Sequence, residues 1–279
     1  MSNDILVLGS TGTVGRPTVK ALVAGGAMVK AASRGGEAVA GAEGVTFDYA
    51  KPETFDRAFE GVDRAFILLP AGSVDPKGLV LPAVEFATKR NVKVVFQSVF
   101  GVDADETNPY RQVEIALERS AAPYVILRPN WFADNFHTAW KAGIARGELC
   151  LPAGIGKTSF IDARDIAGSA AAALSSDEFN GQAFNLTGPA ALSYADAASI
   201  LSDAIGRKVS YRPVDDATFI DLITASGVSP DYAALLAAIF YPVREGWTAE
   251  VTSGVEQLTG QRPRSLEDYA RERKADLEA

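Results

Sequence analysis

Three glycines near the start of the chain, Gly9, Gly12 and Gly15, have the spacing of a phosphate-binding turn. They follow the apolar run 5–8 and precede a helical pattern, which is the order that a dinucleotide pyrophosphate requires. Glycine permits a tight turn, lets phosphates approach the backbone and lets the helix pack closely. The helix N-terminus adds N–H donors and a favourable dipole, whereas a plain strand–helix turn is the alternative. The predicted cofactor loop comprises Gly9, Ser10, Thr11, Gly12, Thr13, Val14 and Gly15.

The residues after the second predicted strand, 28–32, indicate which dinucleotide binds. In NAD-binding folds an acid at this point accepts hydrogen bonds from the ribose hydroxyls. Here the strand ends in Ser33 and Arg34, and the first acid is Glu37. A guanidinium cannot accept those bonds, but it can pair with a 2′-phosphate. We therefore predict a preference for NADP(H), with NAD(H) possible; Arg34 is the main discriminator and Ser33 assists, unless Arg34 is simply a solvated surface charge.

The composition excludes several other classes of function. A net charge of -8 and a pI near 4.9 argue against a nucleic-acid-binding surface. The single cysteine, Cys150, and the single histidine, His137, leave no disulfide and no multi-histidine metal centre. Cys150 is expected to be a small buried apolar residue. Neither a leader nor a bilayer-spanning apolar stretch is apparent, so we expect a cytoplasmic protein without a membrane contact.

Strand and helix patterns alternate through the first half of the chain, which predicts an α/β fold. The expected architecture is a Rossmann-type doubly wound parallel sheet with a smaller, mostly helical C-terminal substrate lobe. Predicted strands lie at 5–8, 28–32, 44–48, 65–69, 92–96 and 124–127. The predicted domains are 1–150 for cofactor binding, joined by a strand near 183–187, and 151–279 for covering the substrate. Predicted helices of the second part lie at 163–174, 194–205, 215–225, 231–240 and 265–278.

Several motifs together resemble one family. They are the glycine loop, Gln97-Ser98 after a strand, LRPNWFADN at 127–135, FIDARDIA at 160–167, and the segment 250–263. In this order they resemble the NmrA-like branch of the atypical short-chain dehydrogenases/reductases, over nearly the whole chain. The combination is specific for the family and a poor guide to the substrate.

The resemblance implies further cofactor contacts, all at the carboxyl ends of predicted strands. On the adenosine side and along the path towards the nicotinamide, the implied residues are Asp48, Leu69, Pro70 and Ala71. At the nicotinamide itself, they are Gln97, Ser98, Val99, Pro129, Asn130 and Phe132. Plain core packing is an equal alternative for Leu69 and Val99.

The chain departs from better-known members of the superfamily at the proton donor. Those enzymes use a Tyr-x-x-x-Lys pair, in which lysine lowers the pKa of the tyrosine. Here Tyr110 is followed by Glu114 in the lysine position, and a carboxylate there is expected to raise the pKa of Tyr110. The catalytic candidates are therefore weak: Tyr110 as a neutral donor, Ser98 orienting water or the carboxamide, and His137 in an aromatic setting that also suits a structural role.

The function expected from these features is NADPH-dependent hydride transfer to a flat, electron-poor acceptor such as a quinone or an azo or related aromatic compound. An aromatic stacking wall is predicted, of which about half is expected to be ordinary core. Its members are Phe100, Trp131, Phe132, Phe136, Phe240, Tyr241 and Trp247.

Two other functions remain open at this point. One is an NADP-binding redox sensor without turnover, which acts through a protein partner and is favoured by an exposed apolar patch on the helical lobe. The other, a nucleotide-sugar epimerase or dehydratase, is disfavoured by Arg34 and Glu114. A monomer or homodimer is expected.

Overall fold

The computed structural model describes residues 4–70 and 72–278. Its strands are β1 (Asp4–Leu8), β2 (Val29–Ser33), β3 (Glu43–Thr46), β4 (Val62–Leu68), β5 (Lys93–Gln97), β6 (Tyr124–Pro129), β7 (Glu148–Leu151), β8 (Lys157–Thr158), β9 (Gln182–Leu186), β10 (Leu192–Ser193) and β11 (Ser210–Pro213). Its α-helices are α1 (Gly15–Ala24), α2 (Phe55–Phe59), α3 (Pro76–Thr88), α4 (Pro109–Glu118), α5 (Lys141–Ala145), α6 (Ala163–Ser175), α7 (Tyr194–Ile205), α8 (Asp216–Ala225), α9 (Pro230–Ala238), α10 (Tyr241–Arg244), α11 (Gly254–Thr259), α12 (Leu266–Glu272) and α13 (Lys274–Glu278). Short 3-10 helices lie at Pro52–Thr54, Val102–Ala104, Ala133–Phe136 and Trp247–Ala249.

The main sheet contains seven parallel strands among the described residues, in the order β3-β2-β1-β4-β5-β6-β9. The first six follow the strand order of a dinucleotide-binding fold, with the reversal between β1 and β4. The seventh, β9, pairs with β6, so the strand predicted near 183–187 does join the sheet. The predicted Rossmann-type fold is therefore confirmed.

The chain forms two compact units that interleave along the sequence. The first unit runs up to Pro129 and also contains Ala163–Leu186 and Ser253–Gln261. The second contains Asn130–Asp162 and Thr187–Thr252 and continues from Arg262. The chain leaves the first unit where β6 ends, whereas the predicted boundary lies at residue 150, and it returns to that unit for α6, for the strand β9 and for α11. Each unit is therefore built from three separate stretches of the chain, and one boundary position cannot divide the sequence into the two units.

The core of the first unit forms because β4 is apolar along its central length. Phe66 and Ile67 point to opposite faces of this strand, and both are fully buried. A strand buried on both faces reads as a continuous apolar run, which is typical of the centre of a parallel sheet. On one face, Phe47 stacks on Phe55 with ring centroids 4.7 Å apart.

The second unit has its own core, in which a group of aromatic rings packs around the start of α7 among aliphatic side chains. Tyr194, at the start of this helix, is fully buried and lies with its ring centroid 5.2 Å from that of Phe160. The helix begins with a capping box, in which Asp196 N–H donates to Ser193 Oγ and Ser193 N–H donates to the Asp196 carboxylate. None of the described helices has the length and apolar composition needed to cross a membrane.

The second unit also differs from its predicted, almost purely helical form. The helix predicted at 265–278 is interrupted at Arg273 and forms α12 and α13. Two short strand pairs were not predicted: β7 with β11, and β8 with β10. These strands have only two to four residues, so they carry no periodic pattern long enough to recognise.

Cys150, on β7, has a different environment from the predicted one. It is only partly buried, and its Sγ donates to Glu148 Oε2 at 3.1 Å and accepts from Arg212 Nη2 at 3.2 Å. Burial, with the adjacent Glu148 carboxylate, raises the pKa of the thiol. The expectation of a small buried apolar residue was wrong, and the raised pKa of the thiol does not favour a nucleophile.

A buried ion pair joins α4 to β6. The guanidinium of Arg128 donates to both carboxylate oxygens of Glu114, from Nε at 2.9 Å and from Nη2 at 2.8 Å, and the Glu114 side chain is 0% exposed. Arg128 Nη1 also donates to Asp103 at 2.6 Å, and Arg111 donates to Glu114 at 2.9 Å. Arg128 therefore fixes the end of β6 to the helix beside it and to the segment that follows β5.

The turn between β1 and α1 requires glycine for steric reasons. Gly9 has a φ of +65°, in the left-handed region that favours glycine. A Cβ placed on Gly15 would lie 2.1 Å from the carbonyl oxygen of Gly9, so α1 can begin here only if this side chain is absent. At Gly12 the same atom would lie 3.2 Å from that oxygen, a tight but tolerable contact.

The ion pair provides the first prediction. Replacing Glu114 with Gln leaves the buried guanidinium partly uncompensated, so we expect a loss of about 3 kcal/mol in the free energy of unfolding, measured by urea denaturation. Glu118→Gln is the matched control, because the Glu118 side chain is 33% exposed and should contribute under about 1 kcal/mol. Equal losses in the two variants would contradict the proposed contribution of Glu114.

The glycine turn provides the second prediction. Gly15→Ala should lower the free energy of unfolding by about 1–3 kcal/mol or more, because its methyl group overlaps the Gly9 carbonyl. Gly12→Ala should cost much less, since its neighbour is farther away. Urea denaturation of both variants measures the difference, and a Gly15→Ala protein as stable as Gly12→Ala would rule out this steric requirement.

Candidate functional site

The glycine loop is anchored at one end and accessible in the middle. Ser10 is buried, and both its backbone N–H and its hydroxyl donate to the carbonyl of Ala32 on β2, each at 3.0 Å. Thr11, Gly12 and Thr13 are exposed. Ser10 thus ties the loop to the sheet, whereas the following residues present their backbone at the N-terminus of α1, where a phosphate is favoured.

At the end of β2 the structure brings the side chain of Glu37 back to Ser33, the last residue of the strand. Ser33 is nearly buried, and Arg34 is exposed. The Ser33 hydroxyl donates to the carboxylate of Glu37 in a close contact and accepts from Gly36 N–H at 2.9 Å. The hydrogen bond from the Ser33 hydroxyl lowers the pKa of Glu37. Sequence reasoning placed the first acid beyond the strand, so it missed that the turn returns Glu37 to the strand end.

Asp48, implied as a cofactor contact, lies beyond β3 and caps the following turn. Its Oδ1 accepts from Ala50 N–H at 3.0 Å, and its own N–H donates to Thr54 Oγ1 at 3.1 Å. The neighbouring Tyr49 hydroxyl donates to the carbonyl of Leu68, the last residue of β4, at 2.7 Å. The segment that follows β3 is therefore joined to the end of β4 by a direct hydrogen bond.

Leu69 and Pro70 follow β4 directly and are both partly buried. The carbonyl of Pro70 accepts from Ser73 N–H at 3.1 Å, which begins a turn. Ala71 lies outside the described residues. The assignment of Asp48, Leu69 and Pro70 to the cofactor site stays a prediction.

Two buried polar atoms at the end of β5 have no hydrogen-bond partner among the described residues: Gln97 Oε1 and Ser98 Oγ. The backbone here continues to pair with β6, since Ser98 N–H donates to Leu127 O at 2.7 Å and Phe100 N–H donates to Pro129 O at 3.1 Å. A buried polar atom without a partner is costly. A polar group such as the carboxamide of a nicotinamide would satisfy these atoms, so they fit the predicted cofactor. Val99, between Ser98 and Phe100, is exposed.

Tyr110 is positioned as a neutral hydroxyl. It lies near the start of α4, and its ring centroid is 6.5 Å from that of the buried Phe96. Burial raises the pKa of Tyr110 to about 12. The expected direction of the shift is thus found, but the expected cause was wrong: the Glu114 carboxylate does not contribute, because it is held by Arg128 and Arg111.

In the second unit, Asn130 connects three segments. Its Nδ2 donates to Ser159 Oγ and to the carbonyl of Thr248, both at 2.8 Å, and its Oδ1 accepts from Trp131 N–H at 2.9 Å. The amide is therefore committed to holding this loop in place. Phe132, implied beside the nicotinamide ring, is partly buried and pairs with Ile161 in an isolated parallel bridge. Both cofactor assignments stay predictions.

The lone histidine packs against the second core. His137 Nδ1 shares a close hydrogen bond with the hydroxyl of the fully buried Tyr269, and the two rings stack at 6.0 Å. Burial is the main cause that raises the pKa of Tyr269. These contacts support the structural role of His137, and its catalytic role stays a prediction. Among the described residues no group of His, Cys, Asp and Glu is suited to hold a metal ion.

The seven aromatic residues of the predicted stacking wall divide into core and surface. Phe136 and Phe240 are core residues, 0% and 2% exposed. Tyr241 and Trp247 are exposed, at 49% and 60%, and lie edge to face with ring centroids 5.6 Å apart. The remaining members are partly buried: Phe100, Trp131 and Phe132.

Comparison with known proteins places these features in context. An uncharacterized oxidoreductase, YesF, from Bacillus subtilis is 36% identical over 96% of this chain and 94% of its own length. The NAD(P)H azoreductase of Xenophilus azovorans is 29% identical, over 96% of each chain. Among solved structures, the NADPH-dependent quinone oxidoreductase QOR2 of Escherichia coli, crystallised with NADPH, superposes with a TM-score of 0.86. It is 20% identical and covers 96% of this chain and 99% of its own, which supports a shared fold.

Residues 1–270 match the NmrA-like family, which includes most of both compact units. The resemblance inferred from the glycine loop and the later motifs is thereby confirmed. The strand order, the glycine loop and the relatives agree, and the chain belongs to the NmrA-like family.

Proposed function

We propose that the protein is an NADPH-dependent oxidoreductase that delivers a hydride to a flat, electron-poor acceptor. The proposal is carried by two observations: the glycine loop 9–15 is accessible in its middle, and the buried polar atoms of Gln97 and Ser98 have no hydrogen-bond partner among the described residues. The loop and these atoms lie at carboxyl ends of strands of one parallel sheet, where such folds bind dinucleotides. The enzyme class agrees with the oxidoreductase names of the curated relatives.

The residues present fit a dinucleotide from end to end. The backbone at Thr11, Gly12 and Thr13 would hold the pyrophosphate, and Arg34 would pair with a 2′-phosphate. Gln97 and Ser98 would hydrogen-bond the carboxamide of the nicotinamide. A bound nicotinamide cofactor supplies the hydride, which no protein side chain can provide.

The chain's own residues provide little acid–base chemistry. Tyr110 keeps its proton at neutral pH because burial raises its pKa to about 12, so it can donate a hydrogen bond but does not serve as a base. An acceptor that is reduced readily once a hydride arrives can take its proton from water. Simple ketones need a strong proton donor, which these residues do not provide. The weak acid–base chemistry therefore supports quinones and azo compounds as acceptors.

The aromatic side chains support the same class of acceptor. Tyr241 and Trp247 expose their rings, and Thr248, which follows Trp247, accepts from Asn130 through its carbonyl. A planar aromatic compound stacks favourably on such rings. The azoreductase among the relatives is named for an acceptor of this type.

The proposal is tested by following NADPH oxidation at 340 nm with a panel of quinones and azo dyes, with NADH in parallel. We expect turnover with at least one acceptor and a higher kcat/KM for NADPH. Simple ketones serve as the control class and should react far more slowly. Binding of neither dinucleotide in a fluorescence titration would reject the proposed function.

The assignment of Arg34 gives a prediction of its own. Arg34→Ala should weaken NADPH binding about tenfold or more and NADH binding little, because only NADPH carries the 2′-phosphate. Gly12→Val should weaken both, since its side chain would occupy the space that the pyrophosphate needs. Dissociation constants from fluorescence titration measure both effects. Equal losses of the two dinucleotides in Arg34→Ala would exclude the pairing with the 2′-phosphate.

A second candidate is an NADP-binding redox sensor that acts on a protein partner. It is favoured by the apolar side chains that α8 and α9, with the residue after α9, leave exposed: Leu222 (43%), Leu235 (41%) and Ile239 (43%). A sensor would bind NADP⁺ and NADPH with different affinities. It would show no turnover with any quinone or azo dye of the panel. The cytoplasmic location and the monomeric or dimeric state stay predictions.

A further inference from the structure

The carboxylate of Glu37 lies at the point where a dinucleotide's adenosine ribose is selected. The Ser33 hydroxyl, at the end of β2, donates to it directly, and its Oε1 lies 2.2 Å from where a Cβ on Gly35 would be. Arg34 stands in the same turn. The strand end therefore carries both of the groups that usually alternate between dinucleotide-binding folds: an acid, which accepts from ribose hydroxyls, and an arginine, which accommodates a 2′-phosphate.

The backbone around Glu37 fixes the position of its side chain beside Ser33. Gly36 has a φ of +72°, and its N–H donates to the Ser33 carbonyl at 3.3 Å and to the Ser33 hydroxyl at 2.9 Å. Phe47 N–H donates to the same carbonyl at 2.9 Å. A Cβ on Gly44 of β3 would lie 2.2 Å from Gly36 O and 2.6 Å from the carbonyl carbon of Glu37. The segment is thus packed against β3, and the position of Glu37 follows from that packing.

The charge of Glu37 distinguishes the two dinucleotides. Its hydrogen bond to Ser33 lowers its pKa, so the side chain is an anion at neutral pH. A 2′-phosphate that is bound by Ser33 and Arg34 would lie beside this anion, and like charges a few ångströms apart repel even in partly exposed sites. A 2′-hydroxyl carries no charge and can donate a hydrogen bond to the carboxylate.

We propose that Glu37 is a second specificity-determining residue that opposes Arg34, disfavouring the 2′-phosphate and favouring the 2′-hydroxyl, so that the protein retains use of NADH. The proposal rests on the proposed function, because it concerns the cofactor of that function. The ratio of the two affinities is thus set by one cation and one anion in the same turn. Arg34 supplies the attraction for NADPH, and Glu37 limits it.

The test compares the dissociation constants of NADPH and NADH for the wild-type protein and for Glu37→Gln, which keeps the shape and the acceptor for Ser33 but removes the charge. We expect NADPH to bind about five- to tenfold more tightly and NADH to bind equally or more weakly. Glu53→Gln removes an equal charge from an exposed residue elsewhere in the first unit and should change neither affinity. The double variant Arg34→Ala/Glu37→Gln should have a ratio closer to that of the wild type than either single variant.

The outcomes separate this inference from the proposed function. A ratio that is unchanged in Glu37→Gln, or changed equally in Glu53→Gln, overturns the role of Glu37 and leaves the oxidoreductase proposal standing. Binding of neither dinucleotide to the wild-type protein overturns both. Circular dichroism of each variant confirms that the affinities refer to folded protein.

Discussion

The contact between Arg128 and Glu114 holds the carboxyl end of β6 against α4 and the segment that follows β5. Two charges with almost no solvent access compensate each other through two parallel hydrogen bonds, and Asp103 and Arg111 extend the network. Loss of either partner would leave a charge in a medium that solvates it poorly. The network therefore fixes β6, α4 and the segment after β5 together. Ser98 follows β5 directly and Pro129 is the last residue of β6. The backbone positions of both residues therefore depend on this network.

The same network gives a structural reason for the glutamate at position 114, where the family resemblance led us to look for a lysine. Glu114 is held by an arginine on β6, so its side chain serves the ion pair that joins α4 to the sheet. Tyr110 is left in apolar surroundings and keeps its proton. Near the end of β5, Gln97 and Ser98 have polar atoms without a hydrogen-bond partner among the described residues. These atoms are suited to hold a ligand in place.

Local patterns predicted the elements whose causes are local. The glycine loop, the apolar β4 and the existence of the strand β9 all follow from composition and spacing within short segments. The position of Glu37 was missed because it depends on Gly44, seven residues later and on another strand. The partners of Glu114 and Cys150 were missed for the same reason: Arg128 and Arg212 are distant in sequence, and no periodicity connects them. The role of Asn130 stays a prediction, and two of its three hydrogen bonds reach Ser159 and Thr248, segments that the sequence could not associate with it.

The packing of Gly36 and Glu37 against Gly44 has a consequence for how such proteins diversify. Because the backbone of this turn is held by contacts with β3, the side chain at position 37 can be exchanged while the path of the chain is preserved. On the proposed role of Glu37, a substitution at this position would change coenzyme choice without altering the backbone of the turn. A rigid turn with a replaceable side chain is an evolvable element, and here its rigidity comes from a glycine on the neighbouring strand.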